Sequence, residues 1–210
     1  MSTLICFALK EEAGGLRRGH HFSVLLTGIG KTNAEKSLRD FLATNSPDLV
    51  LTCGFVGGLN PDLKLGDVVF ELAGPAANDQ QLAANLSAAG AKPAKFFCAD
   101  RVATTIAEKK KLRDETGADA VYMESAAIHA VCAEKQIPCA TVRVISDTAS
   151  EDLPLDFNVL VKPDKNLDYG KLAWAIAKSP GKIPALMELQ RKTKFAAGQL
   201  ASILATITFP

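Results

Sequence analysis

No two of the five cysteines in this 210-residue chain are spaced as Cys-x-x-Cys, and no cysteine pair sits near a histidine pair at zinc spacing. A structural metal site is therefore not expected. Cys6, Cys53, Cys98, Cys132 and Cys139 read instead as free thiols, several of them inside apolar runs (LICFAL, LVLTC, KFFC) that should be buried. Charge of one sign is also missing. Lys plus Arg is 24 and Asp plus Glu is 23, so the net charge is +1 and no global field recruits a polyanion. That argues against nucleic acid as the partner. No apolar run approaches the roughly 20 residues needed to span a bilayer. The opening MSTLICFALKEE has no basic n-region and only a short apolar run, which reads as no secretion signal and a cytoplasmic protein. Histidine is scarce. His20 and His21 sit in a turn between strands, and His129 lies mid-helix without a partner one turn on, so none is expected to bind metal.

What is present is a globular pattern of short apolar runs alternating with helical stretches. Hydrophobic residues make up 48% of the chain, enough for one sizeable core in one domain, 1–210. Residues 2–8, 23–27, 48–53, 65–72, 95–98 and 139–145 read as strands. Residues 32–45 read as a helix capped by Thr32, with Ala34, Leu38, Phe41 and Leu42 on one stripe. Further helices are expected over 78–88, 104–116 and 122–134. From about 165 the chain turns helical, over 168–178 with Trp174 on its apolar face and over 183–207. Strands alternating with helices predict an α/β fold in three layers. A central, mostly parallel mixed sheet, with the runs near the N-terminus and at 48–53 and 139–145 in its middle, is flanked by helices.

Two glycine motifs fall short of nucleotide-binding signatures. Gly30-Lys31-Thr32 lacks the first glycine of a phosphate loop, whose place is held by Leu25. Gly28-Ile29-Gly30 lacks the third glycine of a dinucleotide fingerprint, whose place is held by Asn33. What survives is a strand, a glycine turn at Gly28 and a helix N-terminus, a place that accepts polar ligand groups. Lys109-Lys110-Lys111 reads as a solvated helix face.

Four segments are harder to explain by packing. In ALKEE (8–12) a buried strand ends in carboxylates. In TCGFVGG (52–58) an apolar strand runs into glycines at and after Gly54, and glycines let a ligand approach the backbone. In VYMESAA (121–127) Glu124 heads a helix of small apolar residues. In VRVISD (142–147) a strand carrying Arg143 ends in Ser146 and Asp147. Ligands gather at the carboxyl ends of parallel strands. Each acid also has an ordinary reading: Glu12 as a strand-end surface group, Glu124 as a partner of the helix dipole, Asp147 as a turn cap or partner of Arg143.

ALKEE (8–12), TGIGK (27–31), TCGFVGGL (52–59), LGDVV (65–69), YMESAAI (122–128) and VRVISDTA (142–149) together resemble the purine nucleoside phosphorylase and 5′-methylthioadenosine/S-adenosylhomocysteine nucleosidase superfamily. The tail SPGKIPALMELQRK (179–192) is similar to the hopanoid-associated phosphorylase branch. The resemblance implies a nucleoside phosphorylase-like fold and three acids around a sugar–base bond. Glu12 matches the base that activates water. Glu124 matches the glutamate that holds the ribose hydroxyls, and Met123 the methionine under the ribose. Asp147 matches the acid that protonates purine N7, with Ser146 and Arg143 positioning the apparatus. Gly28, Gly54, Phe55 and Val102 fall at expected substrate contacts. The family usually forms dimers or larger rings, which implies a homo-oligomer, a homodimer first. No organic cofactor is implied.

The chain also departs from the pattern. Microbial phosphorylases of this superfamily carry an Arg and a Ser near the glycine turn to hold phosphate, and Thr52 and Phe55 stand there instead. Loss of the main cationic phosphate ligand favours water, although Arg17 or Arg18 could supply phosphate binding from a nearby loop. Nucleosidases usually place a small hydroxyl residue where Phe55 stands. The stretch between 72 and 95 is shorter than usual. N-glycoside cleavage needs one carboxylate kept anionic near the sugar and one acid for the leaving base. Burial beside apolar strands is expected to raise Asp147 for the second task. The leading expectation is hydrolysis of a purine nucleoside, with adenine and a modified 5′ position favoured by the resemblance. The alternatives are a phosphorylase using phosphate, including release of adenine from an adenosylated hopanoid, and a nucleoside-binding relative without turnover.

Overall fold

A computed structural model describes residues 2–16, 22–72, 77–99, 101–122, 125–160 and 180–207. Its centre is an eight-stranded sheet. The strands are β1 (Thr3–Phe7), β2 (Phe22–Leu26), β3 (Leu49–Gly58), β4 (Val68–Leu72), β5 (Lys92–Pro93), β6 (Phe96–Cys98), β7 (Ala120–Tyr122) and β8 (Cys139–Asp147). Their main order is β2-β1-β3-β8-β4-β5, with β7 joining β3 and β6 joining β7. β2, β1, β3 and β8 run parallel, while β4 is antiparallel to β8 and β7 to β3. The mixed, mostly parallel α/β sheet read from the sequence is thus the observed one, with 3–7, 49–58 and 139–147 at its centre.

Helices cover both faces. α1 (Lys31–Leu42) and α4 (Ser125–Glu134) pack on one side, where Ala34, Leu38, Ile128, Val131 and Cys132 meet Leu4, Cys6 and Val50. α2 (Ala77–Ala88) and α5 (Ile183–Thr206) pack on the other. There Leu82, Leu86, Ala196, Leu200 and Leu204 meet Ile5, Phe7, Leu51, Val142 and Val144. A fully buried leucine such as Leu200 contributes about 1.5–3 kcal/mol relative to an exposed one. α3 (Ile106–Thr116) lies beside the β6–β7 end. It starts at a capping box, in which the Thr105 hydroxyl takes the Glu108 N–H and Glu108 returns to the Thr105 N–H.

Several local expectations shift. β3 does not end in a glycine turn at Cys53: it continues as strand through Gly58, because glycines remain able to pair while removing side-chain bulk. α1 begins at Lys31 with Gly30 as N-cap, so Thr32 lies inside the helix rather than capping it. The stretch 122–134 splits, with Tyr122 closing β7 and α4 starting at Ser125. The short strand β5 was not expected. The helix expected over 168–178, with Trp174, lies outside the described residues, as do Arg17, Arg18, His20 and His21. Among the described residues no helix is long and apolar enough to cross a membrane.

Candidate active site

The carboxyl ends of β2, β1, β3 and β8 lie side by side; among the described residues Glu12, Gly28, Ser146 and Asp147 lie at these ends, with Gly54, Phe55 and Arg143 further back along β3 and β8. After β1 the chain makes a single 3-10 turn, Lys10–Ala13, that carries Glu12 inward to 6% exposure. The turn is closed by Gly14 in the left-handed region (φ 56°), where a side chain could not fit: an added Cβ would stand 2.3 Å from the Ala197 carbonyl oxygen of α5. α5 therefore braces the turn from behind. Glu12 Oε2 accepts the Leu9 N–H at 2.9 Å, and Oε1 accepts the Phe55 N–H of β3 at 3.1 Å. Two backbone donors hold the carboxylate in place.

Arg143 rises from the middle of β8, opposite Gly54 of β3, and is 5% exposed. Its Nη2 donates to Thr52 Oγ1 at 2.9 Å, and the guanidinium lies over the Tyr122 ring, 5.5 Å from its centroid. Gly54 has φ 149°, and an added Cβ there would stand 2.5 Å from both Arg143 Nη1 and Glu12 Oε1. The cation and the anion thus converge on the space that glycine leaves open. Thr52, which stands where the phosphorylases carry an arginine, accepts a hydrogen bond from Arg143. Tyr122, which the sequence reading passed over, is the ring beneath the guanidinium.

Asp147 ends β8 at 7% exposure. A register shift between Val56 and Gly57 sets it opposite Gly57, and an added Cβ on Gly57 would stand 3.3 Å from Asp147 Oδ2. Ser146 Oγ donates to Asp147 Oδ1 at 2.8 Å. The surroundings correct the sequence reading on two points. Asp147 does not sit against apolar strands alone, and its charged partner is neither Arg143 nor solvent. Lys109 of α3, fully buried, places Nζ 2.7 Å from Asp147 Oδ2. The expected solvated lysine face holds only for Lys110 and Lys111, which pair along the helix with Asp114 and Glu115. The signal for Lys109 was hidden in a run of three identical residues. Only its helical phase distinguishes it from its neighbours.

The remaining predicted residues are placed as follows. Gly28, in the left-handed region at φ 77°, follows β2 beside the Glu12 turn, where Thr27 donates its N–H to Phe7 O at 2.8 Å. Phe55 is half-buried and packs against the α5-side core. Val102 lies in the loop before α3, its N–H held by Asn158 Oδ1 at 2.8 Å and its carbonyl by Asn158 Nδ2 at 3.0 Å. Met123 and Glu124 lie outside the described residues, directly between Tyr122 and α4. His129 is a satisfied structural histidine, its Nε2 2.8 Å from Thr141 Oγ1, and burial followed by the nearby Arg143 lowers its pKa. Among the described residues no cluster of His, Cys, Asp and Glu has metal-binding geometry. Four of the five thiols are buried, and Cys98 is exposed.

A family model described as the phosphorylase superfamily matches residues 12–70 and 78–173. The chain belongs to the phosphorylase superfamily. The matched stretches carry every segment around the site, from Glu12 through Asp147. A 5′-methylthioadenosine/S-adenosylhomocysteine nucleosidase from Bacillus cereus is 29% identical over 180 residues, covering 70% of this chain and 77% of the relative. Among solved structures, the nucleosidase of the same name from Campylobacter jejuni superposes with a TM-score of 0.63 at 18% identity, over 97% of this chain and 98% of that one. Futalosine hydrolase of Helicobacter pylori superposes with a TM-score of 0.63 at 19% identity, over 97% of each chain. At those identities the superpositions establish that this superfamily member shares their fold.

Proposed function

We propose that this chain hydrolyses the N-glycosidic bond of a purine nucleoside, an adenine nucleoside with a modified 5′ position first among them. One observation carries the reading: two buried carboxylates, Glu12 and Asp147, stand against Gly54 and Gly57 of the same strand. Gly54 and Gly57 lie three residues, roughly 10 Å, apart along that strand. Names borne by the relatives, nucleosidase and futalosine hydrolase, support the same class of reaction.

In this reading Glu12 is the general base. Held by the Leu9 and Phe55 N–H groups, its carboxylate takes a proton from water while Arg143 orients that water toward the anomeric carbon. As the bond between sugar and base breaks, its electron pair passes to the purine and Asp147 donates to N7, so the base leaves neutral. Ser146 fixes the Asp147 carboxyl through Oδ1. Glu124 and Met123 hold the ribose, a role that follows from their place in the family motif directly before α4. Gly28, Phe55 and Val102 border the substrate.

Water is favoured over phosphate on physical grounds. The Phe55 N–H, a donor that a phosphate would need at the glycine-rich end of β3, is already taken by Glu12. An anionic Glu12 in that place repels a second anion. The reading also includes a single domain acting as a homodimer in the cytoplasm, motivated by the family likeness. Incubation with adenosine, inosine and 5′-substituted adenosines, with and without phosphate, tests it. Free base and free sugar should form without phosphate. Ribose 1-phosphate appearing only with added phosphate would overturn the hydrolytic reading, and no base release from any nucleoside would leave a binding protein.

A further inference from the structure

We infer that Lys109 is a positioning residue for the leaving group: it orients Asp147 and meets the negative charge Asp147 acquires when its proton passes to the purine. The inference rests on the reading above and deepens it. A lysine with no exposed side-chain surface is rare and costly unless its ammonium is fully paired. Here all three protons have acceptors. Nζ donates to Thr148 O at 2.7 Å and to Glu151 O at 2.9 Å, and lies 2.7 Å from Asp147 Oδ2. The side chain is thus anchored to the loop that follows Asp147, as well as to Asp147 itself.

That loop is clamped from several further directions. The Ile106 N–H at the start of α3 donates to Asp152 Oδ1 at 2.6 Å, and the Leu153 N–H donates to Thr104 O at 2.8 Å. Glu151 takes the Thr148 N–H at 2.6 Å and also pairs with Lys192 of α5. Packing needs none of this charge: an apolar side chain would fill the same volume at lower desolvation cost. A buried cation aimed at the one carboxylate that must release a proton has a chemical use. Paired with Lys109 and Ser146 as a carboxylate, Asp147 takes up one proton from solvent in each turnover, passes it to N7 so that the purine leaves neutral, and becomes a carboxylate again. Lys109 neutralises that carboxylate without moving, and Ser146 stabilises its other oxygen.

The test compares two leaving groups. A purine must be protonated to leave, whereas 4-nitrophenolate leaves as a stable anion. Lys109→Met and Lys109→Gln are assayed on the best purine nucleoside and on 4-nitrophenyl riboside, with folding checked by circular dichroism. The rate ratio of nucleoside to nitrophenyl riboside should fall at least about tenfold in both variants. In an Asp147→Asn background, adding Lys109→Met should cost the nucleoside reaction less than about twofold further, since the residue acts through Asp147. Equal loss on both substrates, or full additivity with Asp147→Asn, would overturn the inference while leaving nucleoside hydrolysis intact. Wild-type protein inert toward every nucleoside would overturn the underlying reading and this inference with it.

Discussion

The Glu12 carboxylate accepts the backbone N–H of Phe55 at 3.1 Å, joining the turn after β1 to the glycine-rich end of β3 across 43 residues of chain. This bond fixes the anion at the place where Gly54 removes side-chain bulk, and it gives the carboxylate a structural as well as a chemical role. The two roles separate in a conservative variant. Glu12→Gln keeps the shape and one carbonyl oxygen for the Phe55 N–H but cannot take a proton from water. Nucleoside hydrolysis should fall by about 10²–10⁴, with substrate affinity changed far less. Steady-state rates beside a ligand titration check this. Activity within a few-fold of wild type would remove Glu12 from the role of base.

Gly54→Ala tests the space itself. Its φ of 149° is strained for any residue with a Cβ, and that Cβ would collide with both Arg143 Nη1 and Glu12 Oε1 at 2.5 Å. The strain alone is of order 1–3 kcal/mol, and the displaced charges add to it. Urea unfolding should show a lower midpoint at unchanged slope, and activity should fall further than stability does. A variant of normal stability and rate would show that the Glu12–Arg143 convergence is looser than drawn.

The thiols offer a check on the core that involves no substrate. Burial pushes Cys53 up to about 12, partly opposed by Arg143, and burial likewise pushes Cys6 up. Cys139 is raised first by its hydrogen bond with Cys132 and then by burial. Thiolates are the reactive species, so the native chain should react with a thiol reagent at Cys98 alone, the remaining four appearing only in denaturant. Mass mapping of the labelled protein decides it. Fast labelling of Cys6 or Cys53 would contradict the packing of β1 and β3.

The parallel core and the flanking helices were legible in the sequence because apolar runs such as LVLTC and CATVRVI have one physical use, burial on both faces of a sheet. The positions of Glu12 and Asp147 were legible as strand-end carboxylates for the same reason. The limits lie where tertiary context overrides local pattern. Nothing in VGG announces that β3 continues through Gly58, since glycines mark turns and close approaches alike. Lys109 is indistinguishable from Lys110 in composition. Only the rotation of α3 about its axis, which leaves Lys109 as its one buried residue and Leu112 partly buried beside it, turns one lysine inward and leaves the next in water. The Arg143–Thr52 bond was also hidden, because strand register, which sequence alone does not print, brings residues 91 apart together.

His129 links the site's electrostatics to stability. Its ring is held near Thr141 and half-buried, and burial together with the Arg143 charge lowers its pKa below the ordinary value of 6.5. A group whose protonation is disfavoured in the folded state binds its proton more readily in the unfolded chain. Stability therefore rises with pH across the interval between the two values. From pH 7 downward, the contribution is lost as pH falls through 6.5 toward the lower folded value. Denaturation midpoints measured in steps from pH 7.5 to 5 should decline over that range. His129→Gln, which keeps a partner for Thr141 without a titrating ring, should flatten the upper part of that decline, between about pH 7 and 6, where carboxylates with ordinary values near 4 contribute little. An unchanged slope there would mean that the imidazole is as free to protonate in the fold as in the unfolded chain, and that Arg143 does not reach it.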